Sequence, residues 1–217
     1  MSLARPTSGR AASRLVGAMP GWDRLLVMPQ LSARLRRSSS RPKSPKAIFD
    51  RLDDTPAEIV TELGETLRQT PLGVALTGDT TRYSGLARSI GYRWFTDPAT
   101  RTLYVADDHA FLSRMFASGL RELATLRGTG SRAAHCAELL REESEEFRRL
   151  WDQHEIGIRP DQVKRFVHPE VGVLELNCQR LLDPDQSHSL LVYTAAPGSE
   201  SHERLRLLSV IGTQTLR

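Results

Sequence analysis

The strongest constraint on the fold is the pattern of residues 163–195, which predicts three consecutive β-strands separated by turns. Residues 163–168 and 171–182 are rich in β-branched and large apolar side chains, and His168-Pro169-Glu170-Val171-Gly172 joins them. Proline presets the backbone of such a turn and glycine permits a positive φ, so this segment predicts a hairpin. Residues 190–195 form a further strand. This part of the chain therefore predicts an antiparallel sheet.

Alternation within the second of these strands predicts how the sheet is buried. Leu174, Leu176 and Cys178 alternate with Glu175 and Asn177. Successive side chains of a strand point to opposite faces, so one face should be buried and the other solvated.

The preceding residues predict two strands followed by helices. Residues 57–63 and 66–69 are short extended runs on either side of Gly64-Glu65, which is a hairpin signal. Helical spacing and capping signals follow at 86–94, after Asp97-Pro98, at 107–127, at 144–151 and after Pro197-Gly198-Ser199. An antiparallel sheet with helices inserted after its second strand is an α+β domain, and this order favours a PAS-like sensor fold with helices on one face.

The charge distribution divides the chain at residue 46. Residues 1–46 hold ten Lys or Arg and one acid, whereas residues 47–217 hold 20 basic and 25 acidic side chains. Arg, Ser and Pro dominate the first segment, which has too little apolar surface to offset the entropy of ordering, so we expect a disordered basic arm followed by one domain at 47–217. An arm for non-specific DNA contact, an organelle transit peptide and an unstructured extension, including one from a wrongly assigned start, all fit this composition.

The sequence contains none of the common catalytic or metal-binding motifs. No nucleophile elbow, phosphate-binding loop or dinucleotide-binding glycine motif occurs. His154-Glu155 begins a zinc-protease motif, but Ile158 stands where the second histidine belongs, and Cys136 and Cys178 lack metal-ligand spacing. We therefore expect no catalytic residue, metal or cofactor. No apolar run reaches the ~20 residues of a membrane span.

Apolar and aromatic side chains are the remaining candidates for a binding site. We expect the helices at 86–94, 112–126 and 144–151 to pack on the sheet face that bears Phe166 and Leu174, leaving an apolar pocket. Trp94 and Trp151 are the preferred lining residues. The same residue types also fill ordinary cores, so the sequence does not separate cavity from core. The candidate ligand-binding residues are Trp94, Phe95, Phe116, Phe147, Trp151, Phe166, Leu174 and Tyr193, together with Arg165.

Several segments, in this order, resemble one known family. They are LDDTP at 52–56 with GETL at 64–67, GYRWFTDP at 91–98, SEEFRRLW at 144–151, KRFVHPEVG at 164–172 and LVYTAAPGS at 191–199. Residues 47–216 resemble the ligand-binding domain of MmyB-like transcription regulators. The resemblance implies a bacterial, PAS-like sensor domain that follows a helix-turn-helix domain and binds a fatty-acid-like molecule in an apolar pocket, with no enzymatic activity.

The sequence departs from the family ahead of this domain. Residues 1–46 contain no capped helix pair, so no recognition helix is expected there. We therefore expect a cytoplasmic sensor that acts on transcription through a partner, as a homodimer or a heterodimer with an intact regulator, with at most non-specific DNA contact through residues 1–46. Arg93, Arg165 and His168 are candidates for pairing with the carboxylate of a fatty acid.

A second interpretation is a small-molecule carrier or an enzyme that reuses the fold, since fold alone does not determine function. A perturbed acid–base pair in the pocket would favour the enzyme, and a dry apolar pocket would favour the sensor.

Overall fold

A computed structural model describes residues 48–183 and 188–215 of the 217-residue chain. The strands are β1 (Ala57–Thr61), β2 (Thr66–Gln69), β3 (Val163–His168), β4 (Gly172–Asp183) and β5 (His188–Thr194). The helices are α1 (Pro71–Thr77), α2 (Ile90–Thr96), α3 (Pro98–Arg101), α4 (His109–Arg127), α5 (Arg132–Glu143), α6 (Glu145–Asp152) and α7 (Glu200–Thr215). Residues 1–46, for which the sequence predicts a disordered arm, lie outside the described residues.

The five strands form one antiparallel sheet in the order β2-β1-β5-β4-β3. The first and last strands of the domain therefore meet in the middle of the sheet, and the helices α1–α6 are inserted between β2 and β3. The α+β class, the antiparallel sheet and the PAS-like arrangement predicted from the sequence are confirmed. The turn between β3 and β4 also follows the prediction, with Gly172 at φ 78°.

Local capping signals decide where several helices begin. The side chains of Asp97 and Ser144 accept hydrogen bonds from the backbone N–H groups of Ala99 and Phe147, which fixes the first turns of α3 and α6. Ser89 caps α2 in the same way, so the helix predicted at 86–94 is divided into a 3-10 turn, Gly85–Arg88, and α2. The helix that the sequence predicts from residue 107 begins at His109, after a 3-10 turn at Ala106–Asp108.

The two faces of the sheet are covered differently. We call the face that bears Phe166, Leu174 and Tyr193 the inner face, and the opposite one the outer face. On the inner face these residues form a core with α1 and α7, represented by Leu76 and Leu208. On the outer face, Phe49 and Leu52 pack near β1 and β5. Val173 of β4 lies on the same face and remains 39% exposed. Helices thus cover the inner face, in keeping with the predicted fold class, but Phe166 and Leu174 are covered by α1 and α7 rather than by the helices predicted at 86–94, 112–126 and 144–151.

A second core lies among the helices themselves. Ala117 of α4, Cys136 and Leu140 of α5 and Phe147 of α6 are buried together. These helices pack mainly on one another, so α4 stands opposite the inner face across open space. That separation creates the site described next.

Candidate ligand-binding site

A cavity of about 1070 Å³ lies between the inner face of the sheet and the helices α2 and α4. Its volume is at the upper end of the range that small-molecule sites occupy, roughly 300–1,000 Å³. The segment 158–162, which leads into β3, lines its mouth. The volume is large enough for a drug-sized or lipid-sized molecule.

One wall of the cavity is apolar and comes mostly from α4. Its lining side chains recur at helical spacing, so one stripe of the helix faces the sheet. They are Leu112, Met115, Phe116, Leu120 and Leu123. Gly119 lies within this stripe, and a Cβ atom built on it would meet no heavy atom within 4 Å. The helix therefore has room in front of it at mid-length.

Four of the residues predicted to bind ligand line the cavity. They are Phe95, Phe116, Phe147 and Tyr193. Phe95 and Phe147 contact each other edge to face, with ring centroids 5.0 Å apart, and the fully buried Phe147 borders the cavity from the core of the helices. These four were predicted as lining residues, and the structure brings them to one space.

Trp94 and Trp151, the preferred lining residues, lie behind the cavity wall instead. Trp94 is 1% exposed, its ring centroid lies 5.6 Å from that of Phe116, and its Nε1–H donates to Ser113 Oγ at 2.8 Å. Trp151 stacks on Phe147 at 5.4 Å. Both indoles support lining residues rather than reaching the cavity. Their aromatic character gave no signal for this difference.

Phe166 and Leu174 lie on the inner face but in the core beneath α1 and α7, and they do not line the cavity. Arg165 is the neighbour of Phe166 in β3 and points to the outer face, where its guanidinium pairs with Asp108. His168 is placed at the far end of β3, with Nε2 3.0 Å from the carbonyl oxygen of Ala75. Neither side chain lines the cavity.

The sheet wall of the cavity is polar, and Glu58 is its centre. Tyr193 Oη donates to Glu58 Oε1 at 2.8 Å, and Thr66 Oγ1 donates to Oε2 at 3.1 Å. Burial raises the pKa of the Glu58 carboxyl above its usual range, while the two hydroxyls and the nearby Arg93 oppose that rise. Burial also raises the pKa of Tyr193. Glu58 is thus a carboxyl that resists ionisation in the sheet wall of the cavity.

Arg93 is the predicted carboxylate partner that does line the cavity. It is 4% exposed, and its Nη1 donates to the carbonyl oxygen of Ala87. Its guanidinium lies over the ring of Tyr83, 4.4 Å from the centroid. Arg93 is therefore held firmly in the wall, close to Glu58.

Sequence analysis did not select Glu58, Tyr104 or Lys164, although all three line the cavity. Strand alternation was a usable signal for Lys164, because it lies two residues from Phe166 and so shares the inner face. Glu58 carries the same signal weakly, since β1 spans only five residues. Tyr104 reaches the site from a loop, where its backbone pairs with that of Phe166. No local sequence pattern predicts this pairing.

Within residues 48–183 and 188–215, no group of three His, Cys, Asp or Glu side chains is arranged to hold a metal ion. In the same part of the chain, no helix is both long and apolar enough to cross a bilayer.

A protein-family model matches most of this chain. The family model for the MmyB-like transcription regulator ligand binding domain matches residues 42–208, about three quarters of the chain. No curated protein matches the sequence.

Proposed function

The chain belongs to the family of MmyB-like transcription regulator ligand-binding domains, and from this premise we propose that it binds a fatty-acid-like effector in the cavity between the sheet and α4. The observation that carries the proposal is the cavity itself, about 1070 Å³ with an apolar wall of α4 side chains. Each buried CH₂ of an acyl chain contributes about 0.8 kcal/mol, so a long chain binds there with few polar contacts.

A thermal-shift series of saturated fatty acids from hexanoic to octadecanoic acid tests this proposal. Binding to the folded state raises the unfolding temperature, so stabilisation should grow with chain length until the cavity is full. A flat response at every length would refute the proposal.

Gly119 offers a matched pair of variants for the same experiment. Gly119→Trp places an indole in the open space before α4, whereas Gly119→Ala adds one methyl group and leaves the space open. We expect the tryptophan variant to lose the response to long acids first and the alanine variant to keep it. An unchanged response in both variants would mean that the ligand binds elsewhere.

We further propose that the bound state acts on transcription in a bacterial cytoplasm through a second protein chain, in a homodimer or with an intact regulator of the family. The support is the composition of residues 1–46, whose Arg, Ser and Pro residues suit non-specific phosphate contact rather than base reading. Light scattering of the purified protein with and without a fatty acid tests for a change of oligomeric state. An unchanged monomer in both conditions, and after addition of an intact regulator, would refute the partner mechanism.

A second candidate function, an enzyme that acts on the bound molecule, is favoured by Glu58. A carboxyl with a raised pKa beside Tyr193 and Arg93 is an arrangement suited to general acid–base chemistry. Mass spectrometry of a fatty acid before and after incubation with the protein distinguishes the two functions. A changed mass that Glu58→Gln abolishes would support the enzyme, and an unchanged ligand supports the sensor.

A further inference from the structure

We propose that Lys164 and Tyr104 form the anchor for the head group of the ligand, and that this head group is a carboxylate. The proposal rests on the proposed function, because it names the part of the effector that the same cavity reads. It is carried by two hydrogen-bond donors that line the cavity and that have no acceptor in the described part of the chain.

The first donor is the Lys164 ammonium. Lys164 lies on the inner face of β3, lines the cavity and is largely buried. Among residues 48–183 and 188–215, no hydrogen bond or ion pair involves its Nζ atom. A buried ammonium without a partner is costly, so this position favours an anion brought by a ligand.

The acids that face Lys164 do not supply that anion. Asp108 is already held by Arg165 through two nitrogen atoms. Asp161, three residues before Lys164, is exposed at the mouth of the cavity. Burial lowers the pKa of Lys164, and the Cys178 thiol, Asp161 and Asp108 offset this only in part. An incoming carboxylate would oppose this lowering, because a nearby opposite charge favours the charged form of the amine.

The second donor is the Tyr104 hydroxyl. Tyr104 pairs with Phe166 at the edge of the sheet, which places it diagonally next to Lys164 on the same face. Its ring lies 5.2 Å from that of Phe166 and 5.9 Å from that of Trp94, so its position is fixed by packing. In the described part of the chain its hydroxyl makes no hydrogen bond. Burial raises its pKa, so it stays a protonated donor.

These two donors match an acceptor-only group. A carboxylate has two oxygen atoms and accepts several hydrogen bonds, so one group satisfies both the ammonium and the hydroxyl. Glu58 is the acid whose charge acts most on Tyr104, but it makes no hydrogen bond with that hydroxyl, and its oxygens already accept from Tyr193 and Thr66. The apolar stripe of α4 then faces the chain of the ligand.

The lysine content of the protein allows a direct test. Arg outnumbers Lys by 27 to 3, and the lysines are Lys43, Lys46 and Lys164. The protein is treated with a water-soluble amine-acylating reagent, alone or with dodecanoic acid or 1-dodecanol, and the acylation of each lysine is measured by peptide mass spectrometry. Lys43 and Lys46 are internal controls. We expect dodecanoic acid to protect Lys164 and 1-dodecanol to protect it much less.

The binding constants of two variants complete the test. Lys164→Met nearly keeps the length of the side chain and removes the charge. We expect this variant to bind dodecanoic acid roughly 10- to 100-fold more weakly, while its binding of 1-dodecanol changes little. Tyr104→Phe should weaken the acid by a smaller factor. Arg114→Met, which removes a charge that pairs with Glu155 outside the cavity lining, is the matched control and should leave the preference for the acid unchanged.

The outcomes separate this proposal from the one on which it rests. If neither compound raises the unfolding temperature, the proposed function fails. If both compounds bind, the anchor is refuted by either of two results: Lys164→Met weakens the binding of both equally, or both protect Lys164 equally from acylation. In that case the cavity binds amphiphiles without recognising a carboxylate at Lys164.

Discussion

Replacement of Trp94 by alanine should lower the free energy of unfolding far more than replacement of Trp151, although both tryptophans occupy apolar positions in the sequence. Trp94→Ala removes a side chain that is 1% exposed and packs edge to face against Tyr104 and His109, with ring centroids 5.9 and 5.2 Å away. Loss of a buried aromatic side chain costs about 3–5 kcal/mol, and Ser113 Oγ also loses its indole donor. We therefore expect a loss of about 4–6 kcal/mol.

Trp151→Ala removes much less. This indole is half-buried, stacks on Phe147 at 5.4 Å and holds the guanidinium of Arg121 4.0 Å from its ring centroid. An aromatic pair contributes about 0.5–1.5 kcal/mol beyond its buried area and a cation–π contact about 0.5–1 kcal/mol. With partial burial added, we expect a loss of about 1–3 kcal/mol.

Urea unfolding followed by far-UV circular dichroism measures both losses, since fluorescence would change with the removed indoles. In a domain of this size 1 kcal/mol shifts the melting temperature by roughly 2–4 °C, so thermal melts give a second estimate. Trp94→Phe keeps a ring and is the conservative control. Equal losses in the two alanine variants, or a Trp94→Ala protein of normal stability that no longer binds fatty acid, would refute the placement of Trp94 behind the wall.

Three further predictions follow from single features. The Glu58→Gln variant should become more stable relative to the natural protein as the pH rises above 4.5, the usual pKa of glutamic acid. The reason is that Glu58 ionises there in the unfolded chain, whereas its buried carboxyl in the folded state resists ionisation. A difference in urea midpoints that stays constant from pH 4 to 8 would contradict this. Gly73→Ala should destabilise the domain, because the added Cβ would lie 2.9 Å from the carbonyl oxygen of Ala57. Gly119→Ala should instead stabilise α4 by up to about 1 kcal/mol, because its added Cβ meets no heavy atom within 4 Å. Thermal melts of the two variants under the same conditions test this difference. Deletion of residues 1–41 should leave the melting temperature unchanged and weaken salt-sensitive DNA binding, as measured by fluorescence anisotropy at two salt concentrations.

Signals that act over a few residues determined much of the fold from the sequence alone. The alternation around Leu174, the Pro169 to Gly172 turn and the caps at Asp97 and Ser144 each specify local backbone geometry, and the structure has a strand, turn or helix start at each of them. The helix α1 was not predicted, although Thr70-Pro71 carries the same capping signal as Asp97-Pro98. It exists because Thr70 caps it and because Leu72 and Leu76 are buried against α7 and the sheet, which are far away in sequence.

The binding site depended on tertiary structure to a greater extent. Sequence composition supplied Phe116 and Tyr193 as lining residues, but it equally suggested Trp94, which packs one layer deeper. Whether an apolar side chain meets a neighbour or a cavity depends on how far α4 stands from the sheet, and the packing of α4 on α5 and α6 sets that distance. The side-chain period of a strand is two, so Lys164 faces the cavity while its neighbour Arg165 pairs with Asp108 outside it. The sequence thus determined the chemistry available to the site, and the tertiary structure decided which of those side chains reach it.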